Sequence, residues 1–290
     1  MSEAAAVTFD ALRPKLMRVA YRMLGSVADA EDVVQEAWLR WREVDPEKVD
    51  NPRAYAVRIV TRLALNQMRT LSRRREAYVG PWLPEPLLTE PDVADDVVLS
   101  ESVSLAMLVV MESLSPTERA VFVLREVFGF EHGEIAAAVD KSPAAVRQIA
   151  HRAREHVQAR RPESTTSRAE HAEVTRRFAS AAATGDLEAL LGLLAPDVVL
   201  VTDGGGVKKA ALRPIVGVEK VLRFLSAVRP VELSAEAVVV NGELCLVVYI
   251  ADELDGIFAT RVVGGVVTEL YGVRYPEKLS RLAEPVPLRR

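Results

Sequence analysis

Residues Glu131 to Arg154, EHGEIAAAVDKSPAAVRQIAHRAR, leave few folds open. Ile135 and Val139 stand four apart with Ala136 and Ala138 beside them, so one helix presents a small-residue face on which a second can pack closely. Asp140 and Lys141 interrupt that period. Ser142 and Pro143 then start a new helix, because a serine oxygen accepts from a free backbone N–H and proline lacks only an N–H that would be unpaired there. On this second helix Ala145, Val146, Ile149 and Ala153 form one side, while Arg147, Gln148, His151, Arg152 and Arg154 stand away from it. Two readings fit: an amphipathic hairpin whose arginines only solubilise a face, and a helix-turn-helix whose second helix lies on DNA.

Charge distribution bears on that choice. The net charge of −4 is uneven over the 290 residues. From Arg53 to Arg75 every charged residue is basic: Arg53, Arg58, Arg62, Arg69, Arg73, Arg74 and Arg75. From Lys141 to Arg161 Glu155 alone is acidic, against Lys141, Arg147, Arg152, Arg154, Arg160 and Arg161. Two basic patches in an acidic chain imply an anionic partner met at two places. The length suggests two or three domains, and 49% apolar with 27% charged residues is globular composition.

Cys245 lies within the apolar run LCLVVYI, which predicts a buried, reduced thiol and excludes a disulfide within the chain. The start MSEAAAVTFD has neither a basic nor an apolar leader segment, and 18 apolar residues never run together, so a cytoplasmic protein without membrane spans is expected. The sequence calls for neither a cofactor nor a metal.

Phe9 to Trp41 reads as two helices divided near Gly25 and Ser26. The second carries Val33, Ala37 and Trp41 at one spacing, with Val34 and Trp38 beside them, as a core stripe. Its other face holds Asp29, Glu31, Asp32, Gln35 and Glu36, acidic where the helix dipole favours it. After the turn at Asp50-Asn51, a third helix from about Arg53 groups Ala56, Ile59, Val60, Leu63 and Gln67 as its inward side and sets Arg58, Arg62 and Arg69 opposite. A face of one sign exceeds what solubility needs and fits phosphate contact. Tyr55, Trp38 and Trp41 lie near enough in sequence for an unpaired base to stack on one of them, although core packing also accounts for the tryptophans.

These segments carry a family resemblance. GSVADAEDVVQEAWLRW, NPRAY and VRIVTRLALNQMRTLSRRRE together resemble the second region of extracytoplasmic-function RNA polymerase sigma factors of the sigma-70 family. LSPTERAVFVLREVFGFEHGEIAAAVDKSPAAVRQIAHRAREHV resembles their fourth region. The resemblance implies core RNA polymerase and promoter DNA, duplex and single-stranded, as partners. Asp29, Glu31, Asp32, Val33, Gln35 and Glu36 would meet the β′ clamp helices, while a further contact is implied at the β flap. Arg53, Tyr55, Arg58, Arg62, Asn66 and Arg69 would bind and help melt the minus-10 element. Ser142, Ala144, Ala145, Arg147, Gln148, His151 and Arg152 would read the minus-35 element. Asn66 stands where the family usually has aspartate, and Asp140 stands at a turn position that is often glycine, although aspartate tolerates a left-handed turn.

Between these regions YVGPWLPEPLLTEPDVADD carries Pro81, Pro84, Pro86 and Pro91, which forbid a continuous helix. The apolar Trp82, Leu83, Leu87 and Leu88 are unusual for a free linker and predict docking. PESTTSR reads as a hinge, and from Ala169 onward two helices precede the strands DVVLVTD, AEAVVVNG, ELCLVVYI and GIFATRVVGGVVTEL. The segment WLPEP and this order resemble the subgroup with a fused C-terminal SnoaL-like domain. The implied fold is multidomain: two all-α sigma domains, the second with a helix-turn-helix, then an α+β NTF2/SnoaL-like cone. Expected boundaries are 1–77 for region 2, 78–98 for the linker, 99–161 for region 4, 162–168 for the hinge, 169–282 for the cone and 283–290 for a tail.

Within the subgroup an Asp-Gly-Gly-Gly loop and a late Asn-Pro-Asp/Glu-Lys-Leu segment are regulatory signatures. The corresponding residues are Asp203, Gly204, Gly205, Gly206 and Lys208, then Pro276, Glu277, Lys278 and Leu279, with the linker's Trp82, Leu83 and Pro84 joining the set. Val207 replaces the lysine that commonly follows the glycines, and Tyr275 replaces the asparagine. Without the resemblance, three glycines simply mark a tight loop at a strand end. Regulation of the sigma domains in cis, with no separate anti-sigma factor required, is the expectation. The alternative is an enzyme or ligand-binding cone fused to a DNA-binding module, with Asp203 its best acidic candidate and His171 the one histidine available.

Overall fold

The computed structural model describes residues 3–45, 48–75, 77–88, 104–160, 166–228, 233–280 and 282. Pro91 and the second half of the linker, Arg161, the hinge up to 165, the tail from 283 and the side chains of Arg73 to Arg75 lie outside the described residues. The chain forms two compact units. One comprises Met1–Glu76 and Val110–Pro162, the other Ala77–Val109 and Glu163–Pro287.

In the first unit α1 (Glu3–Leu24), α2 (Val27–Trp41) and α3 (Pro52–Arg75) pack together. Gly25, at φ 71°, closes α1, and the Ser26 hydroxyl caps α2 by accepting from the Asp29 N–H at 3.3 Å. Trp41 is fully buried, its ring 6.2 Å from Phe9 and 6.0 Å from Tyr55, while Trp38 is only half-buried against Phe9. Helix α3 departs from the expected phase. Its buried residues are Ala56, Val57, Val60, Thr61, Ala64, Leu65 and Met68, whereas Ile59, Leu63 and Gln67 are half-buried. The reason is that α3 packs against α1 and α2 on one side and against two later helices on another, which widens the buried arc.

The short helix α4 (Leu105–Met111) precedes α5 (Pro116–Phe122), which opens on a capping box between Ser115 and Glu118. A π-helical turn, Val123–Val127, follows directly, then Phe128, Gly129 and Phe130. The predicted pair follows as α6 (His132–Val139) and α7 (Pro143–Arg160). Asp140 ends α6 in the left-handed conformation at φ 57°, so the aspartate does there what glycine would do. The Ser142 hydroxyl accepts from the Ala145 N–H at 3.2 Å and caps α7, with Pro143 as its first residue.

The second unit starts its folded core with α8 (Arg168–Thr184) and α9 (Leu187–Leu193). Then come β1 (Leu194–Asp203), β2 (Ile215–Val216), α10 (Val218–Val228), β3 (Leu233–Val240), β4 (Glu243–Ile250), β5 (Glu253–Val263), β6 (Val266–Val273) and α11 (Pro276–Leu279). The sheet order is β2-β1-β6-β5-β4-β3, with only the β1–β6 pairing parallel. Both faces are covered, which explains the unbroken run in β4. Leu246 joins a core with Phe178, Leu190 and Val221 of the helices, whereas Cys245 and Val247 join one with Leu83, Leu105 and Leu279. Cys245 is the predicted buried thiol, and burial, more than the nearby Glu243 charge, pushes its pKa up. The α+β class expected for this unit holds, although α10, β2 and α11 were not among the elements read from the sequence.

Candidate nucleic-acid interface and linker clasp

Helix α7 presents Ser142, Ala144, Arg147, Gln148, His151 and Arg152 to solvent, with Ala145 half-buried at the edge. The opposite stripe is fully inward: Val146, Ile149, Ala150, Ala153 and Val157 are buried. Exposed donors thus stand over a packed apolar base, an arrangement chemically able to meet base edges or phosphates without rearranging the core. Arg154, which stands beside these donors, pairs with Glu126 at 2.6 Å. His151 lies 3.5 Å from Glu155.

The arginines of α3 do not form one open face. Arg53 lies over the Phe130 ring at 5.2 Å and Arg58 over Tyr55 at 4.6 Å. Arg62 donates through Nη2 to the Ala137 carbonyl of α6 at 3.1 Å, and Arg69 donates to Asn66 Oδ1 at 3.2 Å. Thus the helix-turn-helix and the arginine helix touch within one unit. On α2, Glu31, Asp32, Gln35 and Glu36 are exposed, but Asp29 accepts from Gln67 at 2.8 Å and Val33 is turned into the core at 6% exposure.

Phe128 and Phe130 organise a junction that the sequence reading missed. Lys15 sits over Phe130 at 5.3 Å and Arg22 over Phe128 at 5.0 Å. Arg119, only 3% exposed, donates to the Arg22 carbonyl at 3.1 Å and pairs with Glu112. Desolvation, with Arg53 and Arg18 adding repulsion, lowers the Lys15 pKa to about 8. Desolvation and Arg18 lower Arg22 to about 9. The available signal was the FGF run before α6, an aromatic pair around a left-handed glycine at φ 66°.

In the second unit the linker is clasped at Asp203, which is fully buried. Its Oδ1 accepts from Tyr78 Oη at 2.7 Å and from the Gly205 N–H at 3.0 Å. Its Oδ2 accepts from the Leu83 N–H at 2.8 Å and from Lys278 Nζ at 2.7 Å. Lys278 Nζ donates also to the Leu83 carbonyl and lies 4.1 Å from the Trp82 ring centre and 5.3 Å from that of Tyr78. Burying an ion pair is costly, and here hydrogen bonds on both partners together with two aromatic faces offset that cost. Burial, then the hydrogen bond and charge of Asp203, push the Tyr78 phenol far upward, so it stays a donor.

The glycine loop is tight for a reason visible at its neighbour. A Cβ on Gly205, at φ 61°, would lie 2.2 Å from the Tyr275 ring, and one on Gly204 would lie 2.2 Å from the Lys208 carbonyl oxygen. Gly206, at φ 74°, borders Val79. Tyr275 precedes Pro276, the first residue of α11. From there Glu277 faces solvent while Lys278 and Leu279 turn inward. Lys208 does not reach Asp203 and pairs with Asp255 at 3.2 Å. Trp82 is half-buried, while Leu83 and Pro84 are buried. A second attachment, also missed, is Asn241: its Oδ1 accepts from the Leu87 N–H at 3.0 Å, and its own N–H donates to the Leu87 carbonyl at 2.8 Å. An Asn-Gly turn at Asn241 and Gly242 was the sequence signal.

Known proteins match along this same division. The model described as Sigma-70 region 2 matches residues 8–74, and that described as Sigma-70, region 4 matches residues 104–157. The ECF RNA polymerase sigma factor SigJ of Mycobacterium tuberculosis is 40% identical over 289 residues, covering 94% of this chain and 92% of that protein. The chain belongs to the extracytoplasmic-function sigma factors. As such, this sigma factor binds core RNA polymerase and promoter DNA and serves promoter-specific transcription initiation. The probable ECF RNA polymerase sigma factor SigI of the same species is 32% identical over 287 residues, with 97% and 96% covered. The crystal structure of the M. tuberculosis extracytoplasmic function sigma factor SigJ superposes with a TM-score of 0.75 at 36% identity, over 98% of this sigma factor and all of that chain. Among the described residues, no helix is long and apolar enough to cross a membrane.

Proposed function

We propose that this sigma factor is regulated in cis: its second unit holds the inter-region linker at Asp203, and the reading heads are kept together until that hold is released. The observation that carries the reading is the direct contact of Arg62 with Ala137. Elements named minus-10 and minus-35 lie about 25 base pairs apart, roughly 85 Å along duplex DNA at 3.4 Å per pair. Helices touching at 3.1 Å cannot span that distance. Reading both elements therefore requires α3 and α6 to separate, and no separate anti-sigma factor is required to keep them closed.

In the open state Arg53, Tyr55, Arg58, Arg62, Asn66 and Arg69 would track the melted minus-10 strand. Arg147, Gln148, His151 and Arg152, at the capped start of α7 set by Ser142, Ala144 and Ala145, would read the minus-35 duplex. Glu31, Asp32, Gln35 and Glu36, with Asp29, would meet the β′ clamp helices, while region 4 meets the β flap. Val33 would act there by supporting the face. The site of action would be the cytoplasm. The second unit would not catalyse, because its acidic candidates Asp203 and Asp255 are both committed to cations.

The test is transcription from a cognate promoter with reconstituted core polymerase. Truncation before Ala169, and separately before Glu284, should change promoter output while co-purification with core polymerase persists. If neither truncation changes output, regulation in cis is lost as an explanation.

A further inference from the structure

A cavity of about 260 Å³ lies within the second unit, between the sheet and helices α8, α9 and α10. Its walls are largely apolar, with Phe178, Leu190, Phe224, Leu246 and Phe258 among the lining residues. Asp255 and Arg274 supply charge to its lining. Arg274 donates through Nε to Asp255 Oδ2 at 2.8 Å, through Nη2 to Oδ1 at 2.9 Å, and through Nη1 to the Lys209 carbonyl. Lys208 Nζ donates to Asp255 Oδ1 at 3.2 Å. Two cations thus meet one carboxylate, leaving one positive charge in surplus. Among the described residues, Arg274 uses three of the five N–H donors that a guanidinium carries.

We propose that this cavity is a binding site for a small apolar monocarboxylate, its hydrocarbon part against the phenyl and leucine walls and its carboxylate at Arg274. The two remaining guanidinium donors match a carboxylate in charge and number. A polyol would strand hydroxyls against the apolar walls, and a dianion would bring more charge than the single surplus cation meets. The volume lies just below the usual range for small-molecule sites, about 300 to 1,000 Å³, which limits the ligand to a short chain or a single ring. Asp255 does not serve as a base in this cavity. Burial pushes its pKa up, but the hydrogen bonds and charges of Arg274 and Lys208 outweigh burial and hold it below the ordinary range. Binding, rather than turnover, is therefore what the cavity offers, and it stands whether or not the unit regulates transcription.

Titration calorimetry of the full chain with 4-phenylbutyrate and with 4-phenylbutyramide tests the assignment. The acid should bind saturably at one site, about tenfold or more tighter than the amide, since a charge-assisted pair is exchanged for a neutral one. Ala182→Phe, which fills the cavity from α8, should abolish binding of the acid. Because Arg274→Gln also strands Asp255, the deciding comparison is between the two ligands on the unaltered chain. Equal binding of acid and amide would overturn the monocarboxylate assignment. No saturable binding of the acid, or binding unaffected by a folded Ala182→Phe, would overturn the site.

Discussion

The Lys278 ammonium lies 2.7 Å from the Asp203 carboxylate, 75 residues away in sequence, in a site where the carboxylate is fully buried. Lys278→Met should destabilise the second unit by about 3 to 5 kcal/mol, because the variant leaves an uncompensated buried charge. Adding Asp203→Asn should recover part of that loss. Denaturant unfolding of the single and double variants measures both, and an additive pair would show that the charges do not couple.

Gly205→Ala should cost about 1 to 2 kcal/mol from the left-handed backbone alone, and more because its Cβ meets Tyr275. In a Tyr275→Ala background, which removes the ring together with the Cγ that the new Cβ would meet, the steric part should vanish while the backbone part stays. Thermal unfolding of the four combinations separates the two contributions.

Lys15 makes the first unit pH-sensitive. Its folded pKa of about 8 lies below the unfolded value of 10.5, so between these two the unfolded chain binds more protons and stability should rise with pH. The penalty is fully present below pH 8. Lys15→Met should therefore flatten the slope of stability against pH between about 8 and 10.5, and an unchanged slope would assign the titration elsewhere.

Arg147→Ala should weaken binding to the minus-35 element by about 1 to 3 kcal/mol and relax preference at one base pair. Arg152→Ala should instead weaken binding evenly across sequences and lower the salt slope by roughly one. Fluorescence anisotropy on a set of single-base promoter variants at several salt concentrations distinguishes these outcomes.

What could be read from the sequence was what short-range chemistry determines. Asp140 and Ser142 fall where a left-handed stop and an N-cap require them, and β4 is buried on both faces as its apolar run implies. The phase of α3 was misread because two sets of neighbours widen its buried arc, and a periodicity count assumes one. Docking of Trp82 and Leu83 followed from their apolar character, but their partners Asp203 and Lys278 were reachable only through the resemblance, and Tyr78 through neither. Nothing local ties Leu83 to Asp203, since their contact joins segments 120 residues apart. Lys208 shows the same limit from the other side: its position grouped it with Asp203 and the glycines, and the fold turns it to Asp255.

Leu88 forms an antiparallel bridge with Val240 on β3, the last strand in the sheet order, beside the Leu87–Asn241 pairing. The linker therefore also shields part of an outer strand whose unpaired backbone groups would otherwise invite another chain. Any release of the linker uncovers that rim. An unclasped form would therefore offer that rim to pairing with another chain until a partner engaged it or the linker returned.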